Sequence, residues 1–256
     1  MSAPACLPTW GHTWVDLPLL RMPMPGAELI PCASGCYQLP IVISPPEDPV
    51  ERAVHRWFLG HHGAFLVWRF LSDSLDRLIR EPDSQLVPLA ALGYDAYSVM
   101  LAYSGSCSRE VYEDVIRPMM VTFDPAFSGR WARDYEPVPG LLRRARAALG
   151  PVAAAPLSLA SKANLLAHME VMRRLVPDGN SLLRESGRTR VTTTDAERAR
   201  FDEFFLVSRE NVCVSRYRAH RAAILSAIGL DLAKHPLPPE CGATLGDTLR
   251  TFVTRL

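Results

Sequence analysis

The prolines of this 256-residue chain are segregated, and that segregation limits the possible folds more than any other feature. Ten of the 22 prolines fall at or before Pro49: Pro4, Pro8, Pro18, Pro23, Pro25, Pro31, Pro40, Pro45, Pro46 and Pro49. Proline fixes φ and removes a backbone donor, so so dense a stretch cannot form a regular helix or an inner strand. Residues 1–48 are therefore expected to be an extended arm lying over the body or reaching a partner subunit, and residues 49–256 a single helical domain. Helical periodicity begins where the arm ends. From Pro49 to about Ile79, apolar residues recur at Val54, Phe58, Phe65, Trp68, Leu75 and Ile79. Pro49 suits a first turn, Glu47, Asp48 and Glu51 suit the positive end of the helix dipole, and Pro82 closes the helix.

The same reasoning predicts helices over Leu89–Ala102, Ser108–Val121, Gly140–Leu149 and Leu157–Val176. Ser106 or Ser108 is the expected cap of the second of these, and Pro118 should disturb its last turn. The capping-box pattern at Thr194–Glu197 opens a helical stretch, with a possible break, to Gly229, and Leu245–Leu256 suits a final short helix. Residues 124–139 and 180–193 read as loops. Neither alternating strands nor repeats are evident, so the expected fold class is all-α, a helical bundle with irregular loops.

Composition narrows the function classes. With 48% hydrophobic and 21% charged residues the chain can bury a sizeable core, and a formal charge of +1 lacks the electrostatic footprint of a nucleic-acid binder. No apolar run appears long enough to cross a bilayer and the N-terminus lacks a signal pattern, so a cytoplasmic protein with no nucleic-acid or membrane partner is expected. Dinucleotide, Walker, zincin and nucleophile-elbow motifs are absent. Of the six cysteines only Cys32 and Cys36 are locally paired; reduced thiols are expected, with a structural zinc on Cys32, Cys36 and a histidine as a weak alternative.

The histidines carry more information. His168 stands among Leu165, Val171, Met172 and Leu175, and His61-His62 stands between Trp57-Phe58 and Phe65/Trp68. A buried imidazole must find a hydrogen bond or a metal, because an unpaired buried polar group costs about 1–3 kcal/mol. A core histidine bonded to a carbonyl satisfies that need for either one alone. Two such helices about a hundred residues apart also suit a flat hydrophobic cofactor held between imidazoles, and haem is the obvious candidate.

Phe58-Leu59-Gly60-His61-His62-Gly63-Ala64-Phe65-Leu66-Val67-Trp68 resembles the distal-histidine helix of tryptophan 2,3-dioxygenase, with His62, Phe65 and Trp68 at matching spacing. Ala167 to Leu175 resembles its axial-ligand helix, with His168 followed six residues on by Arg174. The Ser108-x-x-x-Tyr112-x-x-x-Ile116-Arg117-Pro118 run and Phe127-Ser128-Gly129-x-Trp131 are similar to bacterial haem-dependent L-tyrosine hydroxylases of lincomycin-type and pyrrolobenzodiazepine pathways. The chain departs from the dioxygenase at Arg117-Pro118, where an Arg-x-x-Glu helix would stand, and at 180–188, where a glycine- and threonine-rich lid would stand.

The resemblance implies a helical bundle enclosing haem b, with His168 as axial ligand and His62 as the distal catalytic group. It implies L-tyrosine hydroxylation to L-DOPA with hydrogen peroxide or oxygen, in natural-product biosynthesis. Phe58, Phe65, Trp68 and Trp131 would stack the substrate ring, and Arg117, Arg130 or Arg133 would clamp its carboxylate. Alternatives are the same haem fold acting on tryptophan or another indole, and a haem-free helical interaction protein. The arm suggests a homodimer.

Overall fold

The computed structural model describes residues 16–32, 41–188 and 192–237. It is an all-α bundle. The helix α1 spans Pro49–Arg80, and its N-cap Asp48 accepts from the N–H groups of Val50 and Glu51. At 1.5 Å per residue this helix is about 48 Å long, and it forms the spine of the molecule. A 3₁₀ turn at Ser84–Leu86 leads into α2 (Val87–Ser104). The next segment starts as α3 (Arg109–Val111), capped by Ser108 as expected, widens into a π turn at Tyr112–Ile116, and continues as α4 (Arg117–Phe123). The widening immediately precedes Pro118, whose missing N–H and bulky ring oppose a regular α ladder at that point.

After a 3₁₀ turn at Gly129–Trp131 come α5 (Val138–Ala153), kinked near its end by Gly150 at φ 76°, and α6 (Ala155–Leu175). The loop expected at 180–193 contains a single helical turn, α7 (Leu182–Glu185). The capping box is formed: Thr194 accepts from the Glu197 N–H, and the Glu197 carboxylate accepts from the Thr194 N–H. It opens α8 (Asp195–Phe204), and α9 (Val214–Lys234) is the last described helix. The helix expected at Leu245–Leu256 lies outside the described residues.

Two short strands were not anticipated. Leu20–Met22 in the arm (β1) pairs in parallel with Val207–Arg209 (β2), Leu20 opposite Val207, and so divides the stretch expected to run from Thr194 to Gly229. Each strand has three residues, too few to show alternation. The described part of the arm thus lies on its own chain, with Leu17, Leu20 and Met22 buried.

The spine α1 packs on α2, α5 and α9, and α2 packs on α6. The approach of α1 to α2 depends on Gly60, where a Cβ would meet the Ser104 Cβ at 2.7 Å and the Ser104 Cα at 3.1 Å. The stretch Ser84–Ser104 does reach the length and hydropathy of a membrane-crossing helix, contrary to expectation; here it is packed between α1 and α6.

Polar pairs fix the ends of the bundle. Arg56 on α1 donates to Asp231 on α9 through Nε (2.6 Å) and Nη2 (3.2 Å), and the Tyr103 hydroxyl on α2 donates to the same carboxylate at 2.8 Å. Arg56 and Asp231 are both buried, and Arg56 also donates to the His235 carbonyl. Removing one partner of a buried ion pair strands the other charge. Asp231→Ala should therefore lower stability by about 3–5 kcal/mol, and Tyr103→Phe by only about 1 kcal/mol, in urea unfolding. Equal, small losses from both would show that the pair does not hold the helices.

Candidate active site

A cavity of about 1310 Å³ opens between α1, α2 and α6 and the segments bearing Tyr112, Phe127 and Leu182. It exceeds the roughly 300–1,000 Å³ of ordinary small-molecule pockets, so it has room for a large planar group and a substrate together.

Its α1 wall is one helical stripe: Trp57, Gly60, His61, Ala64 and Trp68. Steps of three and four residues keep side chains on one face, whereas a neighbour one residue along turns away by about 100°. Phe58, His62 and Phe65 form that neighbouring stripe and point into the core. Phe58 stacks on Phe204 (5.3 Å between centroids), and Phe65 meets Trp68 edge-on at 5.4 Å. The place expected of His62 is therefore occupied by His61, and of the four expected aromatic wall residues only Trp68 lines the cavity. Trp131 lies behind Phe127, 5.6 Å away.

The two adjacent imidazoles are held in opposite tautomers. A carbonyl can only accept, so His61, 2.6 Å from the Trp57 carbonyl through Nδ1, carries its proton there and keeps Nε2 as an acceptor for the cavity. His62 lies 2.6 Å from the Phe205 carbonyl through Nε2, so it is protonated at Nε2, and its buried Nδ1 has no partner among the described residues. Burial lowers both to about 4, so both are neutral at physiological pH. The Phe205 ring also stacks on His61, with centroids 3.9 Å apart and planes 12° apart.

His168 faces the same cavity from α6. Neither of its ring nitrogens has a hydrogen-bond partner among the described residues, so the carbonyl-bonded core histidine is not what the fold builds. His168 is exposed, on a stretch of α6 where Leu165, Leu166 and Met169 are exposed as well, and desolvation still lowers its basicity. Arg174, six residues on, does not enter the cavity; it donates to the Gly105 and Cys107 carbonyls just past α2.

The three candidate arginines separate. Arg133 is outside the lining set and pairs with buried Asp202 at 2.8 Å. Arg117 lines the cavity but donates to Glu185 at 2.6 Å and to the Asn180 carbonyl at 3.1 Å. Arg130 lines the cavity with no ion-pair partner among the described residues, as do Arg146 and Lys162. Trp57, its indole N–H buried and unpartnered among the described residues, is a lining residue the sequence reading missed, although it stands one turn from His61. Among the described residues no group of three or more His, Cys, Asp or Glu could hold a metal ion; Cys32 accepts from the Ser215 N–H at 3.3 Å, and Cys36 lies outside them.

A helical bundle with a cavity of this size and imidazoles on two of its helices fits the histidine-ligated haem-dependent aromatic oxygenases, the superfamily of tryptophan 2,3-dioxygenase. Residues 19–164, more than half the chain, match the family described as SfmD 3-methyl-L-tyrosine peroxygenase, and the chain belongs to that family. It is therefore an enzyme, a haem-dependent oxidoreductase of the peroxygenase type. The match includes all three histidines of α1, His55, His61 and His62, and ends four residues before His168. No curated protein matches the chain.

Because His61 and His62 are neutral in the fold and near 6.5 when unfolded, the unfolded chain binds more protons between about pH 4 and 6.5. Their contribution is fully present above pH 6.5 and is lost as pH falls through that interval. It amounts to about 3 kcal/mol at most for each. Urea midpoints should fall steeply from pH 6.5 to 4 in the wild type, and less steeply in His62→Gln.

Proposed function

We propose that this enzyme hydroxylates the phenol ring of a tyrosine at the carbon ortho to the hydroxyl, with hydrogen peroxide as oxidant and L-tyrosine giving L-DOPA. The reading is carried by one observation: His61 and His168 line a single cavity large enough for a porphyrin and an amino acid. The family match favours 3-methyl-L-tyrosine as a second substrate, differing by one ring methyl.

The lining residues fit haem. His168 offers an unpartnered, neutral imidazole, the form an iron ligand needs. No cysteine lines the cavity among the described residues, which supports haem b held without a thioether bond. Haem, when bound, supplies oxidation of the ring by peroxide; overall a ring C–H becomes C–OH and the second peroxide oxygen leaves as water.

His61 would accept the phenol O–H at Nε2 and so fix which ring carbon faces the oxidant. A phenol titrates near 10 and His61 near 4, so proton transfer in the resting complex is unfavourable by about six powers of ten. His61 therefore orients the phenol first and takes its proton only as oxidation makes the ring more acidic. Trp57 and Trp68 would pack against the ring and exclude water, and Arg130, which like Arg146 and Lys162 lines the cavity without an ion-pair partner among the described residues, would clamp the amino-acid carboxylate.

His168→Ala should lose the Soret band of the purified protein, whereas His61→Ala should keep it and lose about 10²–10⁴-fold in ortho-hydroxylation, followed by mass spectrometry of the product. Extraction of the porphyrin by acidified acetone is expected. Full activity in His61→Ala, or faster turnover of L-tryptophan than of either phenol, would overturn the reading.

A further inference from the structure

Behind His61 stands a second histidine that the reaction does not use. His62 is fully buried, neutral and outside the cavity, yet it spends its one proton on a particular carbonyl, that of Phe205. The ring of the same Phe205 covers the face of His61. We propose that His62 is a positioning residue for His61, acting through Phe205: the Nε2–H bond fixes the Phe205 backbone, and that backbone holds the ring flat on the His61 imidazole. The proposal rests on the reading of His61 as the group that receives the phenol.

The surroundings of Phe205 explain why one hydrogen bond has this leverage. Phe205 is the C-cap of α8, its N–H donating to the Phe201 carbonyl at 3.2 Å. The next residue, Leu206, has φ 57°, a left-handed conformation that a residue other than glycine adopts only when its neighbours enforce it. The Leu206 N–H donates to the Glu203 carbonyl at 3.1 Å, and the Leu206 carbonyl accepts from the Leu20 N–H at 2.9 Å. The peptide joining Phe205 to Leu206 is thus held by His62 on its carbonyl side and by Glu203 on its amide side. Releasing the carbonyl leaves that peptide held from its amide side alone, and the seat of the ring on His61 then rests on its contacts with Phe201 (4.8 Å), Phe204 (4.9 Å) and Phe58 (5.7 Å).

His61 has two other restraints, the Trp57 carbonyl and the Trp57 ring 4.8 Å away, but both belong to its own helix. Phe205 supplies cover from another element. The stack also keeps water off the imidazole, whose low basicity is caused first by burial and then by neighbouring His62. His62 in turn feels His55 on α1 and His220 on α9.

The test compares His62→Gln, whose amide N–H can still reach the Phe205 carbonyl, with His62→Leu, which has no donor, and with Phe205→Leu, which keeps the carbonyl and loses the ring. Nitrogen-15 histidine NMR of protein loaded with diamagnetic zinc protoporphyrin reads the His61 tautomer and titration, thermal melts establish folding, and kinetics use the haem enzyme. In His62→Gln, His61 should titrate as in wild type and kcat should stay within about threefold. In His62→Leu and Phe205→Leu, the His61 midpoint should rise from about 4 toward 6.5, and kcat should fall about tenfold or more with a smaller change in KM. Unchanged His61 titration in either folded leucine variant would overturn the proposal, as would a His62→Gln enzyme as impaired as His62→Leu. Full activity in His61→Ala would instead defeat the phenol-binding reading and leave the NMR result standing.

Discussion

The buried contact between Arg56 and Asp231 holds together α1, α2 and α9, the first two of which wall the cavity. Tyr103 joins it from α2, so a single carboxylate on α9 satisfies donors from two other helices. Charges this deep are costly unless every hydrogen-bonding site is met, and here the guanidinium also reaches the His235 carbonyl and the Ser106 hydroxyl. With α1 fixed in rotation by this pair, the direction of every later side chain on the spine follows from helical geometry. A second node does the same at the other end: Arg209 on β2 bridges Asp134 and Asp202, tying the loop after α4 to α8 and the strand.

Fixed rotation separates two adjacent histidines into different environments. His61 meets the cavity and His62 meets the core, and each is neutral because the protein around it is a poorer solvent for charge than water. The chain thereby presents one imidazole acceptor to the cavity and uses the other as a donor to its own backbone.

Much of this was legible in the sequence. The limits of α1 and α6, the Ser108 and Thr194 caps and the all-α class follow from apolar period, proline placement and capping chemistry. His61 and His168 do line one cavity, but the apolar context of His168 is a weak guide to this, since Leu165, Met169 and Met172 around it are exposed. Which member of the histidine pair faces it does not follow from the sequence. Phe58, Phe65 and Trp68 are as apolar on the core side as Trp57, Ala64 and Trp68 are on the cavity side, and Trp68 belongs to both patterns. Only the packing of α8, which brings Phe204 and Phe205 against Phe58 and His62, decides between them. The partners of Arg117 and Arg133 were equally invisible, because Glu185 and Asp202 are more than sixty residues away along the chain.

The close crossing at Gly60 has a consequence for how such an enzyme can diversify. On the α1 side the cavity-facing His61 imidazole sits next to Gly60, which cannot gain even a methyl group without meeting the backbone of α2. Across the cavity, α6 carries several half-exposed apolar side chains, among them Leu165 and Met172, whose size is not fixed by a neighbouring helix. Acceptance of bulkier or differently decorated rings is therefore free to drift on one bank of the pocket, while the opposite bank stays locked by steric necessity.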